Sequence, residues 1–168
     1  QAAPVAAVGG PIENGVQRLL NWAVYFCDFG QYHNPAEPLE TFAISDANVS
    51  FKRSALESIR PVWRDVFHEG AVNHVLQMRG ERMILSPDIP VYQNRLRLDL
   101  GMAIRERWAW GKSYGAGRGL TGVSRLIWVA LSLALPCLVL ARLTAKIMAK
   151  RGQFGVFCRA FPTTALLA

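Results

Sequence analysis

HEGAVNHVLQMRGERMILSPD, residues 68–88, decides the fold class. Between Glu69 and Arg79 the apolar side chains fall at Val72, Val75, Leu76 and Met78, which is helical spacing, and Gly80 follows as a C-cap. Arg82-Met83-Ile84-Leu85 then reads as a short strand, and Ser86-Pro87-Asp88 as the turn out of it. A helix, a glycine, a strand and a turn in close succession make the building unit of an α/β domain.

Working outward, the same alternation continues. Val5 to Val8 reads as the end of a buried strand, turned by Gly9-Gly10-Pro11, and Gly15 to Phe29 carries apolar residues at helical spacing. Residues 30–41 read as a loop, and Phe42-Ala43-Ile44 as a short strand leading into Ser45-Asp46-Ala47-Asn48. A helix is expected from Arg53 to Ile59, capped by Ser54 and closed by Pro61. Ile89 to Gln93 reads as a further strand. Arg95 to Tyr114 reads as a basic helix with Leu96, Leu100, Ile104 and Trp108 on one face.

The character of the chain changes at Val123. Leu126 to Ala141 holds no charged residue and is bracketed by Arg125 and Arg142. At 1.5 Å per residue this run is about 24 Å long, short of a hydrocarbon core of about 30 Å. Snorkelling arginines and Leu143-Thr144-Ala145 extend it, so a membrane helix is expected over 123–149, with Pro136 tolerated inside it. A buried helix of a larger soluble domain fits the same composition. Phe154 to Ala168 reads as the start of a second apolar segment, 150–168, and residues 1–122 as the α/β part. The chain starts at Gln1 with no initiator Met, in the apolar stretch Ala2 to Val8, and stops within the apolar run Ala165-Leu166-Leu167-Ala168, so a piece of a longer protein is expected.

Composition narrows the partners. The chain is 51% hydrophobic and 18% charged, with a net charge of +7 whose excess lies mostly after Arg95. A basic soluble protein invites nucleic acid, but here the cations flank an apolar segment, which favours an anionic membrane surface over nucleic acid. The three cysteines are widely spaced and suggest neither a disulfide framework nor a zinc site, so a reducing, cytoplasmic face is expected. His68-Glu69 does not open a zinc-protease helix, because the next histidine is His74 rather than one turn on. Gly115-Ala116-Gly117-Arg118-Gly119 lacks the spacing and the preceding strand of a phosphate loop, and reads as a joint.

Several of these stretches, in order, resemble family 2 glycosyltransferases. Ala43-Ile44-Ser45-Asp46-Ala47-Asn48-Val49-Ser50-Phe51-Lys52-Arg53-Ser54-Ala55-Leu56 is similar to the segment after that family's metal-binding strand. Phe67-His68-Glu69, the helix ending at Gly80 and Arg82 to Pro87 resemble its acidic pair, helix, glycine, strand and proline. Ala7-Val8-Gly9-Gly10-Pro11 resembles the strand and turn that follow its donor-site motif. The resemblance runs from Ala6 to about Arg118 and implies a partial GT-A-like, Rossmann-like domain on the acceptor side. It also implies transfer, with inversion, of a sugar from an NDP-sugar to a hydroxyl on a lipid carrier or polysaccharide. A divalent metal, Mg or Mn, is implied as well, with ligands outside these residues. The donor side, with its Asp-x-Asp, would precede Gln1. Gln93 stands where many members place a metal-associated histidine.

The resemblance implies that Glu69 is the general base, with His68 in place of the first acid of the pair. Glu69 read by itself is equally a first-turn acid favoured by the helix dipole. His68 either lines the acceptor cleft or is a plain exposed histidine. Asp46 and Asn48 either approach the acceptor or form an Asx turn. Arg53 either meets donor phosphates or pairs with a nearby carboxylate. Arg107-Trp108 resembles a pyrophosphate-binding Arg-Trp element, although Ile104 stands where that element has Gln. A membrane-interface stripe of Arg and Trp explains the pair better. The non-enzymatic alternative is a membrane-anchored protein whose basic helix binds anionic lipid or a partner.

Overall fold

Two strands from distant parts of the sequence make the centre of the sheet. β1 (Val5–Gly9) pairs in parallel with β5 (Arg82–Leu85), with Val8 opposite Ile84 and Gly9 opposite Leu85. β4 (Val49–Phe51) runs antiparallel on the other side of β1, and β3 (Leu39–Glu40) antiparallel on the far side of β5, giving the order β3-β5-β1-β4. A second, two-stranded sheet joins β2 (Ile12–Asn14) to β6 (Val91–Gln93). The helices are α1 (Leu19–Phe29), α2 (Arg53–Ser58), α3 (Arg60–Trp63), α4 (Glu69–Met78), α5 (Leu100–Ala116), α6 (Gly122–Ser132), α7 (Leu135–Met148) and α8 (Phe154–Leu167). This computed structural model describes residues 5–30, 32, 37–116, 121–132, 134–148 and 152–168. The class is mixed α/β, richer in helix than in strand.

The chain divides into two compact units, one of Gln1–Glu13 with Tyr32–Gln93, the other of Asn14–Gln31 with Asn94–Ala168. In the first, Ala6, Ala7, Met83 and Leu85 of the sheet pack with Ile44, Ala55, Ile59, Val72 and Leu76. In the second, Ala23 to Phe26 of α1, Leu98, Ala103, Leu143 and Ile147 pack with Phe157, Ala160 and Leu167 of α8. Phe26 is wholly buried and meets Phe157 edge to face, with ring centroids 5.2 Å apart. The sequence-derived boundary at residue 122 therefore does not coincide with the units. α1 and α5 share a core with the C-terminal helices rather than with the sheet.

Several local expectations change for identifiable reasons. The strand expected at Phe42–Ile44 forms earlier, as β3, because Thr41 Oγ1 exchanges hydrogen bonds with Ala43 and turns the chain out of the ladder. Helix α2 starts at Arg53 without a side-chain cap, and Pro61 opens α3 instead of closing α2. It sits in the first turn, where its missing N–H costs nothing. Helix α5 begins at Leu100, because Asp99 Oδ1 accepts from the Met102 N–H at 2.8 Å and caps it. The face of Leu96, Leu100, Ile104 and Trp108 is exposed, and Leu98 and Ala103 are buried instead.

The run expected to be one membrane helix is two helices, α6 and α7, bent by 51° at a short break. Among the described residues no single helix is long and apolar enough to cross a membrane. Pro136 accounts for the break: it sits in the first turn of α7, and in a continuous helix its ring would meet the Ser132 carbonyl four residues back. The joint read at Gly115–Gly119 runs into residues 117–120, outside the described residues.

Removing the Phe26 ring should leave a cavity among α1 and α8. Phe26→Ala is expected to lower stability by about 3–5 kcal/mol. Denaturant unfolding in mild detergent, followed by circular dichroism, checks this; an unchanged midpoint would mean that the α1–α8 packing is not a stabilising core.

Candidate functional site

Open α/β sheets bind ligands beyond the carboxyl ends of their strands, and here that edge is formed by the ends of β1 and β5. The Ser86 N–H donates to the Gly9 carbonyl at 2.8 Å, which ties the two strand ends together. Because β4 is antiparallel to β1, with Val49 opposite Gly9, the 3-10 turn Asp46–Asn48 arrives at the same edge. Side chains are excluded at the two glycines there. A Cβ on Gly9 would lie 2.2 Å from Ile44 Cγ2, and one on Gly10 would lie 2.3 Å from the Ile89 carbonyl oxygen.

Two asparagines fix the loop in this narrow gap. Asn48 donates from Nδ2 to the carbonyls of Pro11 at 3.1 Å and Ile89 at 2.8 Å, so both of its amide hydrogens bridge neighbouring loops. Buried Asn73 of α4 donates to the Ile44 carbonyl at 2.8 Å. Ser45 is buried and accepts from the Ala47 N–H, which closes the turn. The backbone at 44–48 is thereby held on three sides without using the Asp46 side chain.

Glu69 is the first residue of α4, half-buried, and its carboxylate spans this loop and another segment. Oε2 accepts from the Asp46 N–H at 2.8 Å, and Oε1 accepts from the Tyr32 hydroxyl. A carboxylate offers about four lone-pair positions, so two hydrogen bonds orient it and leave capacity for a third partner. A fixed carboxylate on a rigid sheet edge can accept a proton from a hydroxyl brought within hydrogen-bond reach.

The other residues read from sequence separate into those that share this edge and those that do not. Asp46 lies there with its carboxylate exposed, and Asn48 lies there as the loop clamp just described. His68 caps α4 through its backbone alone, with its carbonyl accepting from the Val72 N–H, and its side chain is exposed. Arg53 lies at the opposite end of the sheet: Phe51 is opposite Ala7, and Lys52 donates to the Ala6 carbonyl. Four residue steps of near-extended chain, β4 and the start of α2, carry it about 13 Å from Val49 at 3.3 Å each. Arg107 belongs to the second unit and is ion-paired with Asp28 of α1, while Trp108 is 72% exposed. The same unit holds Cys27, whose thiol is pushed up by burial, with Arg107 opposing the shift.

Among the described residues no three His, Cys, Asp or Glu side chains converge to hold a metal ion. Tyr32 and Asn73 went unseen in the sequence. Tyr32 lies in the loop after α1, where periodicity is silent, and Asn73 reads as one polar residue of an amphipathic helix. No family model matches the chain, and no curated protein or solved structure matches it either.

Asn48→Ala removes two hydrogen bonds at once. It is expected to cost the first unit about 1–3 kcal/mol and to speed amide exchange at residues 46–49, as read by hydrogen-exchange mass spectrometry. Unchanged exchange there would show that the clamp does not hold the loop.

Proposed function

We propose that this chain is the acceptor-side part of a family 2, GT-A-like glycosyltransferase that works at the cytoplasmic face of a membrane. The observation that carries the reading is the placement of the Glu69 carboxylate. It is oriented by Tyr32 and the Asp46 N–H at the carboxyl edge of β1 and β5, in a chain whose motif order resembles that family. The donor-binding side would lie in a preceding segment. The divalent metal would be held there as well.

The chemistry assigned to this edge is a single displacement. The acceptor hydroxyl, on a lipid carrier or a polysaccharide, approaches Glu69 and hydrogen-bonds to an open lone pair of its carboxylate. Its oxygen attacks the anomeric carbon of the NDP-sugar while its proton passes to Glu69. The bond from the anomeric carbon to the diphosphate oxygen breaks, and the electron pair leaves with the nucleoside diphosphate. Attack opposite the leaving group inverts the anomeric centre. The exposed Asp46 carboxylate is placed to orient the acceptor, and Asn48 acts through the loop it clamps. Arg53, at the far end of β4, and Arg107, paired with Asp28, receive no part in this step.

The non-enzymatic alternative, a protein held at the membrane to bind lipid or a partner, draws on one observation: every residue of the apolar helix α6 is exposed. That feature suits both readings, and donor use separates them.

The test uses the full-length protein in detergent, with a panel of NDP-sugars and Mg or Mn, comparing wild type with Glu69→Gln. Glutamine can accept from the Asp46 N–H and donate to the Tyr32 hydroxyl oxygen, so the fold is retained while the base is lost. Turnover is expected to fall about 100- to 10,000-fold, with donor binding unchanged. Wild-type turnover in the variant would overturn the assignment of Glu69, and failure of every donor would favour the alternative. Residues 1–168 alone are expected to transfer no sugar.

A further inference from the structure

We propose that α6 and the first half of α7 form a re-entrant wedge that enters one leaflet of an anionic bilayer and returns to the side it left. The inference concerns only the second unit and stands whether or not the chain transfers sugars.

The first argument is where the two ends of the apolar stretch are anchored. Leu98 and Ala103, before it in the chain, share one buried cluster with Leu143 and Ile147 of α7 and with Phe157 of α8, after it. A spanning segment between Ala103 and Leu143 would put these residues on opposite sides of about 30 Å of hydrocarbon and pull that cluster apart. A segment that turns back leaves it whole.

Length and shape agree. Helix α6 has 11 residues, about 16 Å, and α7 offers eight residues before its first buried side chain, about 12 Å. The 51° bend lies between them. Neither arm reaches across a bilayer, and together they make an elbow. Along both arms large apolar side chains are exposed, among them Val123, Leu126, Val129, Leu131, Leu135 and Leu138. Leaving such a surface in water is unfavourable at about 25 cal/mol per Å².

Charge selects the occupant. No Asp or Glu follows Glu106, so residues 107–168 carry a net +9 against −2 for the first 106, which together make the chain's +7. Arg125 stands on α6 and Arg142 at the foot of the exposed arm of α7, where guanidinium groups can meet headgroup phosphates as the apolar side chains enter the acyl region. An apolar elbow flanked only by cations suits an anionic lipid surface. An acidic protein partner would offer the charge without the hydrocarbon.

The test adds the full chain, diluted from detergent, to preformed sealed vesicles and reads co-flotation. Binding to vesicles containing phosphatidylglycerol is expected to exceed binding to pure phosphatidylcholine at least 10-fold, and to fall by a similar factor in Leu126→Glu/Leu131→Glu. Both positions are exposed, so the variant keeps its helical circular dichroism. Arg125→Gln/Arg142→Gln should lose the preference for phosphatidylglycerol while keeping residual binding. Sidedness is read with a membrane-impermeant maleimide on two proteins. One is Cys137→Ser, which leaves exposed Cys158 on α8; the other moves the exposed thiol to α5 as Ser113→Cys/Cys137→Ser/Cys158→Ser. Cys27 reacts slowly in both, being half-buried. A re-entrant wedge labels both proteins fully from outside. Labelling of one only after the vesicles are opened means that the segment spans, and equal flotation with both lipids, or none, removes the anionic bilayer as occupant. Either result overturns the proposal.

Discussion

The close approach at Gly9 and Gly10 is the constraint on which the sheet unit depends. A side chain at either position would collide with Ile44 or with the backbone at Ile89. Without one, the loop at 44–48 settles against the end of β1, and Asn48 can bridge to Pro11 and Ile89. That settled loop presents the Asp46 N–H to Glu69, so a carboxylate on one helix is oriented by a backbone four elements earlier. The proposed chemistry rests on this chain of contacts, because a base is effective only where its geometry is fixed before the substrate arrives.

The second unit follows a different logic. Its stability comes from aromatic and small residues packed between α1 and α8, where Phe26 meets Phe157 and Ala23 and Ala160 allow close packing. Two ion pairs accompany this core, Arg107 with Asp28 and Arg95 with Glu106. Arg107 thus serves the packing of α5 on α1, a role that an Arg-Trp motif in the sequence does not announce. The exposed apolar side chains of α6 and of the first half of α7 take no part in this core, and they form the surface proposed to meet lipid.

The sequence was most legible where one periodicity ruled. Val72, Leu76 and Gly80 marked α4 and its end, and Arg82–Leu85 marked β5, because an amphipathic helix and a buried strand leave distinct patterns. Register was not legible: the motif that holds Asp46, Asn48 and Arg53 reads as one group, yet β4 carries Arg53 to the other end of the sheet. The apolar composition of 126–141 was plain, but the fate of Pro136 depends on whether the helix continues through it, and it does not. The face of Leu96, Leu100, Ile104 and Trp108 was a sound helical pattern that turned outward, since packing with α1 and α8 buried Leu98 and Ala103 instead. Tyr32 had no signal at all, being a single residue outside any helix or strand whose hydroxyl donates to Glu69.

The central claim is that the Glu69 carboxylate takes the acceptor's proton, and chemical rescue addresses it most directly. In the full-length protein, Glu69→Ala leaves a space that a small carboxylate can enter. The account predicts that formate restores transfer in a saturable manner, at least about 10-fold above the residual rate and within the range set by losing a general base, while wild type is unaffected. An alanine variant that transfers sugar at the wild-type rate, with or without formate, would contradict it.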